Sequence, residues 1–201
     1  MKEGSRISKL LSKMRLGEYD SNLELLELVF GDVTRVSRTT GKNLVQELVS
    51  RKYDENDCLL AIKTLFKEKR LDPNHLDKNG LNFIQNAINT GYSQSFICNC
   101  IRQTLSMGLD VNHKDSKGNT IIHSAIESTN YKGSFVEVLK LVYDYGFDVT
   151  SKNQNDKDIS DLILETSKYH KIGKMGIISE MYPFVSRPKN LIVVTSRNKR
   201  S

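Results

Sequence analysis

His75 and His113 hold equal places in two stretches that nearly match, "DPNHLDKNGLNFIQNAI" (72–88) and "DVNHKDSKGNTIIHSAI" (110–126). Two imidazoles one repeat apart could share a metal ion or respond to pH. The spacing supplies no third ligand, and the neighbouring aspartates Asp72, Asp77, Asp110 and Asp115 are residues that turns select. The expectation is therefore an exposed partner contact at both histidines, with no metal and no cofactor. Catalysis finds no foothold either: there is no P-loop, no G-x-S-x-G, no H-E-x-x-H and no Cys–His pair that spacing brings together. Asp156, Asp158 and Asp161 read as linker and helix-start residues, where acids favour the positive helix end. Tyr131, Tyr143 and Tyr145 invite a base-stacking platform, but Tyr143 and Tyr145 are two apart and would face differently on a helix. Cys58, Cys98 and Cys100 are odd in number and lack framework spacing, so they read as buried, reduced thiols of a cytoplasmic or nuclear chain.

The elements that position these residues recur at a fixed step. Gly80 and Gly118 are 38 apart, and so are Asp72 and Asp110, Asn74 and Asn112, His75 and His113, and Asp77 and Asp115. The same step carries Asp110 to Asp148 and Gly118 to Asp156, while a step of 39 back from Gly80 reaches Gly41. Four segments align: "GKNLVQELV" (41–49), "GLNFIQNAI" (80–88), "GNTIIHSAI" (118–126) and "DKDISDLIL" (156–164). Their third residues, Asn43, Asn82, Thr120 and Asp158, are helix N-cap types. Three residues on stand Gln46, Gln85, His123 and Asp161, one turn later and able to reach back to the cap. Ala87 and Ala125 mark a place where a helix must approach its neighbour.

Each segment is followed by a second helical pattern. "CLLAIKTLF", "FICNCIRQTL" and "FVEVLKLVYDY" are predicted to start at Asp57, Ser93 and Ser134 and to end near Arg70, Gly108 and Gly146. Upstream, "SNLELLELVFGDVT" reads as the second helix of a preceding partial unit, with Ser21 and Glu24 as a capping box. The expected fold is all-α: a helical repeat solenoid of about four repeats plus an N-terminal helix, with turn-rich hairpin linkers. Residues 1–20 would form a capping helix, 21–183 the repeats (units near 21–40, 41–79, 80–117, 118–155 and 156–183), and 184–201 a basic tail.

"GNTIIHSAI" resembles the ankyrin-repeat signature G-x-T-P-L-H-x-A, and "GLDVNHKDSKGNT" resembles that family's G-A-D-V-N-x-x-D-x-x-G-x-T junction. The third unit matches well, the second in part, and the first and fourth are degenerate. The resemblance spans about residues 21–183. Two departures stand out. Leu44, Phe83, Ile121 and Ile159 replace the proline after the cap, and the period exceeds the ~33 residues usual in the family. The resemblance implies a structural role for His123, bonded to the capping Thr120, and a binding module rather than an enzyme. His170 carries no such signal.

Hydrophobic residues make up 38% and charged residues 27% of the 201 residues, enough apolar material for a core. No apolar run reaches the ~20 residues of a membrane span. Ile7, Leu10, Leu11 and Met14, set among Lys9, Lys13 and Arg15, fit a first amphipathic helix better than a mitochondrial presequence. Of the net charge of +6, most belongs to the ends. Arg187, Lys189, Arg197, Lys199 and Arg200 face no acid between 187 and 201, and residues 1–20 hold five bases against three acids. The body between is near neutral. The tail could contact nucleic acid, an anionic membrane or an import receptor. "LIVVTS" (191–196) has a strand-like run that could dock elsewhere, and the stop after "SRNKRS" suits a longer parent protein.

The expected function is a non-enzymatic protein–protein interaction module, monomeric or within a hetero-complex. It would be a regulatory adaptor of a transcription or signalling assembly, or equally a pathogen's host-directed effector. Binding would use linker tips (His75, Lys78, Asn79; His113, Lys114, Ser116, Lys117; Lys152, Gln154, Asn155). The first-helix surface would add Asn86, Asn89, Ser124, Glu127 and Ser128. The rival reading is nucleic-acid association through the basic tail.

Overall fold

The computed structural model describes residues 9, 11–13, 22–69, 71–165 and 183. Among them every regular element is a helix, and there is no strand. Residues 9 and 11–13 are helical, and Leu11 is buried. The remaining helices are α1 (Asn22–Phe30), α2 (Leu44–Ser50), α3 (Glu55–Lys69), α4 (Phe83–Thr90), α5 (Gln94–Leu105), α6 (Ile121–Glu127), α7 (Phe135–Tyr143) and α8 (Ile159–Glu165). None is long and apolar enough to cross a membrane. The Ser21–Glu24 box, most of the N-terminal helix, residues 166–182 and the tail with its basic residues and "LIVVTS" lie outside the described residues.

The first helices, α2, α4, α6 and α8, have only seven or eight residues. Helices this short are unstable alone in water, so capping and stacking must hold them. The side chains of Asn43, Asn82 and Thr120 accept from the N–H of Gln46, Gln85 and His123, whose side chains accept in return from the cap's N–H. Asp158 and Asp161 close the same reciprocal box at α8. All four predicted caps therefore sit where the repeat puts them.

Ser93 and Ser134 cap α5 and α7 as predicted. Asp57 does not cap α3. Helix α3 begins at Glu55, and the carboxylate of Asp54 accepts from the N–H of Asn56 and Asp57. Asp57 lies buried in the first turn. The reason is register: Asp54 follows Tyr53 as Ser93 follows Tyr92. At the other end, Gly108 and Gly146 hold left-handed φ of 87° and 86°, one turn beyond Leu105 and Tyr143.

The helices form two adjoining rows. In one, α2 packs on α4, α4 on α6 and α6 on α8; in the other, α1 packs on α3, α3 on α5 and α5 on α7. Helix α1 thus takes the place of a second helix from a preceding unit. Ala87 and Ala125 are fully buried at the helix–helix approach, amid Ile84, Ile88, Ile122 and Ile126. Each such isoleucine contributes roughly 2 kcal/mol by leaving water, and none of the short helices could bury its face without the next.

Three tyrosines form a feature that the motifs above do not include. Tyr53, Tyr92 and Tyr131 recur at 39-residue steps, each just ahead of a second helix, and all three are buried. Tyr92 stacks on Phe96 at 4.1 Å between ring centroids. Tyr131 is therefore core, not a platform for bases.

Candidate partner-binding surface

Each linker is a tight loop organised by one side chain. Asp77 Oδ1 accepts from the N–H of Asn79 and Leu81, Asp115 Oδ1 from Lys117 and Asn119, and Asn153 Oδ1 from Asn155 and Lys157. The loops then bond to one another. The N–H of Lys78 donates to the Thr40 carbonyl, Ser116 to Asn79 and Gln154 to Lys117, at 3.0–3.2 Å. Successive tips are locked into one row at fixed register. Gly118 shows what the row requires: its φ is +75°, and a Cβ there would lie 2.8 Å from the Gln154 nitrogen.

A second stitch runs beside the first. Asn112 Nδ2 donates to the Gly146 carbonyl at 2.9 Å, and its Oδ1 accepts from the Asp148 N–H at 2.7 Å. Asn74 does the same with Gly108 and Asp110. One amide thus ties each linker to the next, which explains Asn74 and Asn112 without invoking a ligand.

The predicted tip residues divide on this frame. Lys78, Asn79, Lys114, Ser116, Lys117, Lys152, Gln154 and Asn155 are exposed. Lys114 Nζ reaches the Lys152 carbonyl at 2.7 Å and Gln154 Nε2 the Ser116 carbonyl at 2.8 Å, so they help hold the row as well as display it. His75 and His113 correct the expectation of an exposed contact. Both are half-buried, and their Nε2 atoms lie 2.8 and 2.7 Å from the carbonyls of Gly41 and Gly80. A carbonyl only accepts, so each Nε2 carries the proton and each ring ties its linker back to the preceding one. Among the described residues, no group of three or more His, Cys, Asp or Glu could hold a metal.

On the first helices, Asn89 and Glu127 are exposed and Ser128 is half-buried, its hydroxyl donating to the Ile88 carbonyl. Asn86 and Ser124 correct the expected surface, since each is only 5% exposed. The Asn86 amide is spent on Asp77 and the Asn82 carbonyl, and Ser124 forms the floor of a groove. That groove, about 400 Å³ and open, brings Asn89, Lys117, Ser124, Glu127 and Ser128 together.

The box residues also bridge units. Gln46 Nε2 donates to the carbonyls of His75 and Leu81, Gln85 Nε2 to Asn119, and His123 Nε2 to Lys157 at 3.1 Å. His123 Nδ1 then accepts from the Thr120 hydroxyl at 2.7 Å, so the ring is the neutral Nε2–H tautomer. Burial lowers its pKa, against the opposing pull of the Lys157 carbonyl. Cys58, Cys98 and Cys100 are free and buried. Burial pushes the Cys58 thiol up to about 12 and the Cys100 thiol well above its usual value, so neither is a ready nucleophile.

A further pattern emerges only in the fold: residues eight apart clasp the mouth of the first helices. Lys42 donates to Ser50, Asn119 to Glu127 and Lys157 to Glu165, while Leu81 and Asn89 leave the second unit without the clasp. Its signal in the sequence is the recurrence of polar pairs in three of four units. No protein-family model matches the chain, and no curated protein matches it.

Proposed function

We propose that this chain is a non-enzymatic, ankyrin-like solenoid that binds a polypeptide partner through its row of linker tips and the adjoining groove. One observation carries the reading: the tips are exposed, yet bonded to one another, so Lys78, Lys114, Lys117, Lys152 and Gln154 are presented in fixed register. A backbone already held in place loses little entropy on binding, and that is what a recognition surface needs. The mixed polar and mildly basic character favours a folded or acidic polypeptide over an apolar ligand. A regulatory adaptor role in a transcription or signalling complex, in cytoplasm or nucleus, follows from the resemblance alone.

The rival is nucleic-acid association through Arg187, Lys189, Arg197, Lys199 and Arg200. Capture from a nuclease-treated lysate separates the two, using the intact chain and one ending at Val185. Retention of the same polypeptide by both forms supports the repeats as the module. Loss of the retained material with the tail, or with nuclease treatment, contradicts it, and steep salt dependence would then point to phosphate contacts.

A further inference from the structure

A second groove, also about 400 Å³ and open, lies at the first unit, between the linker at 32–43 and helix α2. Its wall holds four cations, Arg35, Arg38, Lys42 and Arg51, against two acids, Asp32 and Glu47. The acids are already engaged. Asp32 accepts from the N–H and hydroxyl of Thr34, at 3.0 and 2.6 Å. Glu47 accepts from the Thr40 hydroxyl and lies 3.8 Å from Arg51. Lys42 spends its ammonium on a neutral partner, the Ser50 hydroxyl at 2.6 Å. The guanidinium groups of Arg35 and Arg38 make no bond to any described residue, and both are exposed.

This linker differs from the next two in a way that creates the charge. Where Asp77 and Asp115 organise their loops with a carboxylate, the first linker places Ser37, and its tip carries one residue more, reaching Gly41 in four steps rather than three. The loop-closing anion is gone and Arg38 is added. A second feature points the same way. Tyr53 lines the groove with only 7% exposure, and its buried hydroxyl has no hydrogen-bond partner among the described residues. The equivalent hydroxyls of Tyr92 and Tyr131 reach Cys58 and the Ser134 carbonyl. Buried polar groups left unmet are rare and costly.

We infer that the first-unit groove receives an acidic segment of the partner polypeptide, its carboxylates meeting Arg35 and Arg38. The inference rests on the interaction-module reading and gives the partner a chemistry and an anchoring point. A nucleic acid suits the place less well. Asp32 and Glu47 interrupt the cations, and the groove at the third unit carries Asp115 and Glu127 against Lys117 alone. A polymer charged at every residue would find no continuous track, whereas a short acidic segment beside Phe30 and Leu44 would.

The test uses the full chain and a fluorescein-labelled peptide of about twelve residues built from Glu, Asp and Ser around one Leu. The same peptide with Gln and Asn serves as comparison. Anisotropy gives affinity and amide shifts give the place. The acidic peptide should bind with shifts at Arg35, Ser37, Thr39 and Glu47. It should bind at least tenfold more weakly to Arg35→Glu/Arg38→Glu, and measurably more weakly to Arg35→Gln/Arg38→Gln, which is less prone to disturb folding. Equal binding of the neutral peptide, or none by the acidic one, overturns the inference. Shifts confined to Lys114 and Lys117 overturn it while leaving the proposed function standing. Binding of a single-stranded RNA at Arg35 and Arg38, with no peptide bound, contradicts both.

Discussion

At the scale of single residues, the side chains that promise chemistry in the sequence turn into architecture. His123 is the clearest case, because Gln46 and Gln85 do its work in the two preceding units. His123→Gln should keep the capping box and the bond to the Lys157 carbonyl, leaving the melting temperature nearly unchanged at pH 7.5. Its effect belongs to lower pH. A buried imidazole with a lowered pKa binds fewer protons folded than unfolded, so its contribution to stability is complete above the unfolded value of about 6.5 and shrinks as pH falls below it. Melting curves from pH 7.5 to 5 should fall less steeply for the variant, and parallel curves would refute the assignment. Asn112 makes a similar point. Replacing it with Ala removes two bonds to the next linker and should cost about 1–2 kcal/mol by urea denaturation. His123 is legible in the sequence because its partner Thr120 is three residues away. His75 and His113 are not, because the carbonyls they hold lie in the preceding linker, 34 and 33 residues back.

At the scale of the elements, two glycines with the same backbone sign separate strain from space. Gly108 has φ +87° and nothing within 4 Å of the place a methyl group would occupy, whereas Gly118 combines φ +75° with a neighbouring backbone at 2.8 Å. Gly108→Ala should cost about 1 kcal/mol, the left-handed penalty alone. Gly118→Ala should cost about 3 kcal/mol, since a rigid backbone must also move. Equal losses in chemical denaturation would show that the linkers do not stack as described. Asp156 holds φ +59° at the equivalent place. The first-helix caps are readable because the box is local and chemically narrow. The start of α3 is not, because Asp54 and Asp57 are both good caps, and only the register of Tyr53, a burial pattern at 39-residue spacing, decides between them.

At the scale of the molecule, each helix packs chiefly on its counterparts before and after it, so stability should propagate between neighbours. Hydrogen exchange should therefore show strongest protection in α3, α4, α5 and α6, which have packed neighbours on both sides among the described residues, and weaker protection in α1 and α8. Uniform protection would indicate a single all-or-none unit instead. The period, the helix pairs and the exposed row of tips are visible in the sequence. The grooves are not, since they arise only where a linker and a helix meet, and the charge of the first depends on Ser37 and the inserted Arg38 standing where two other linkers carry an aspartate.

The most direct test of the account is Lys114→Glu with Lys117→Glu, compared with the native chain for capture of a polypeptide from nuclease-treated lysate. The two lysines are exposed, and only Lys114 holds a neighbouring carbonyl, so the melting temperature should shift by no more than about 2 °C. The account predicts that the retained polypeptide falls at least tenfold on the variant. Undiminished retention on a variant of unchanged stability would contradict the claim that the row of linker tips is the recognition surface.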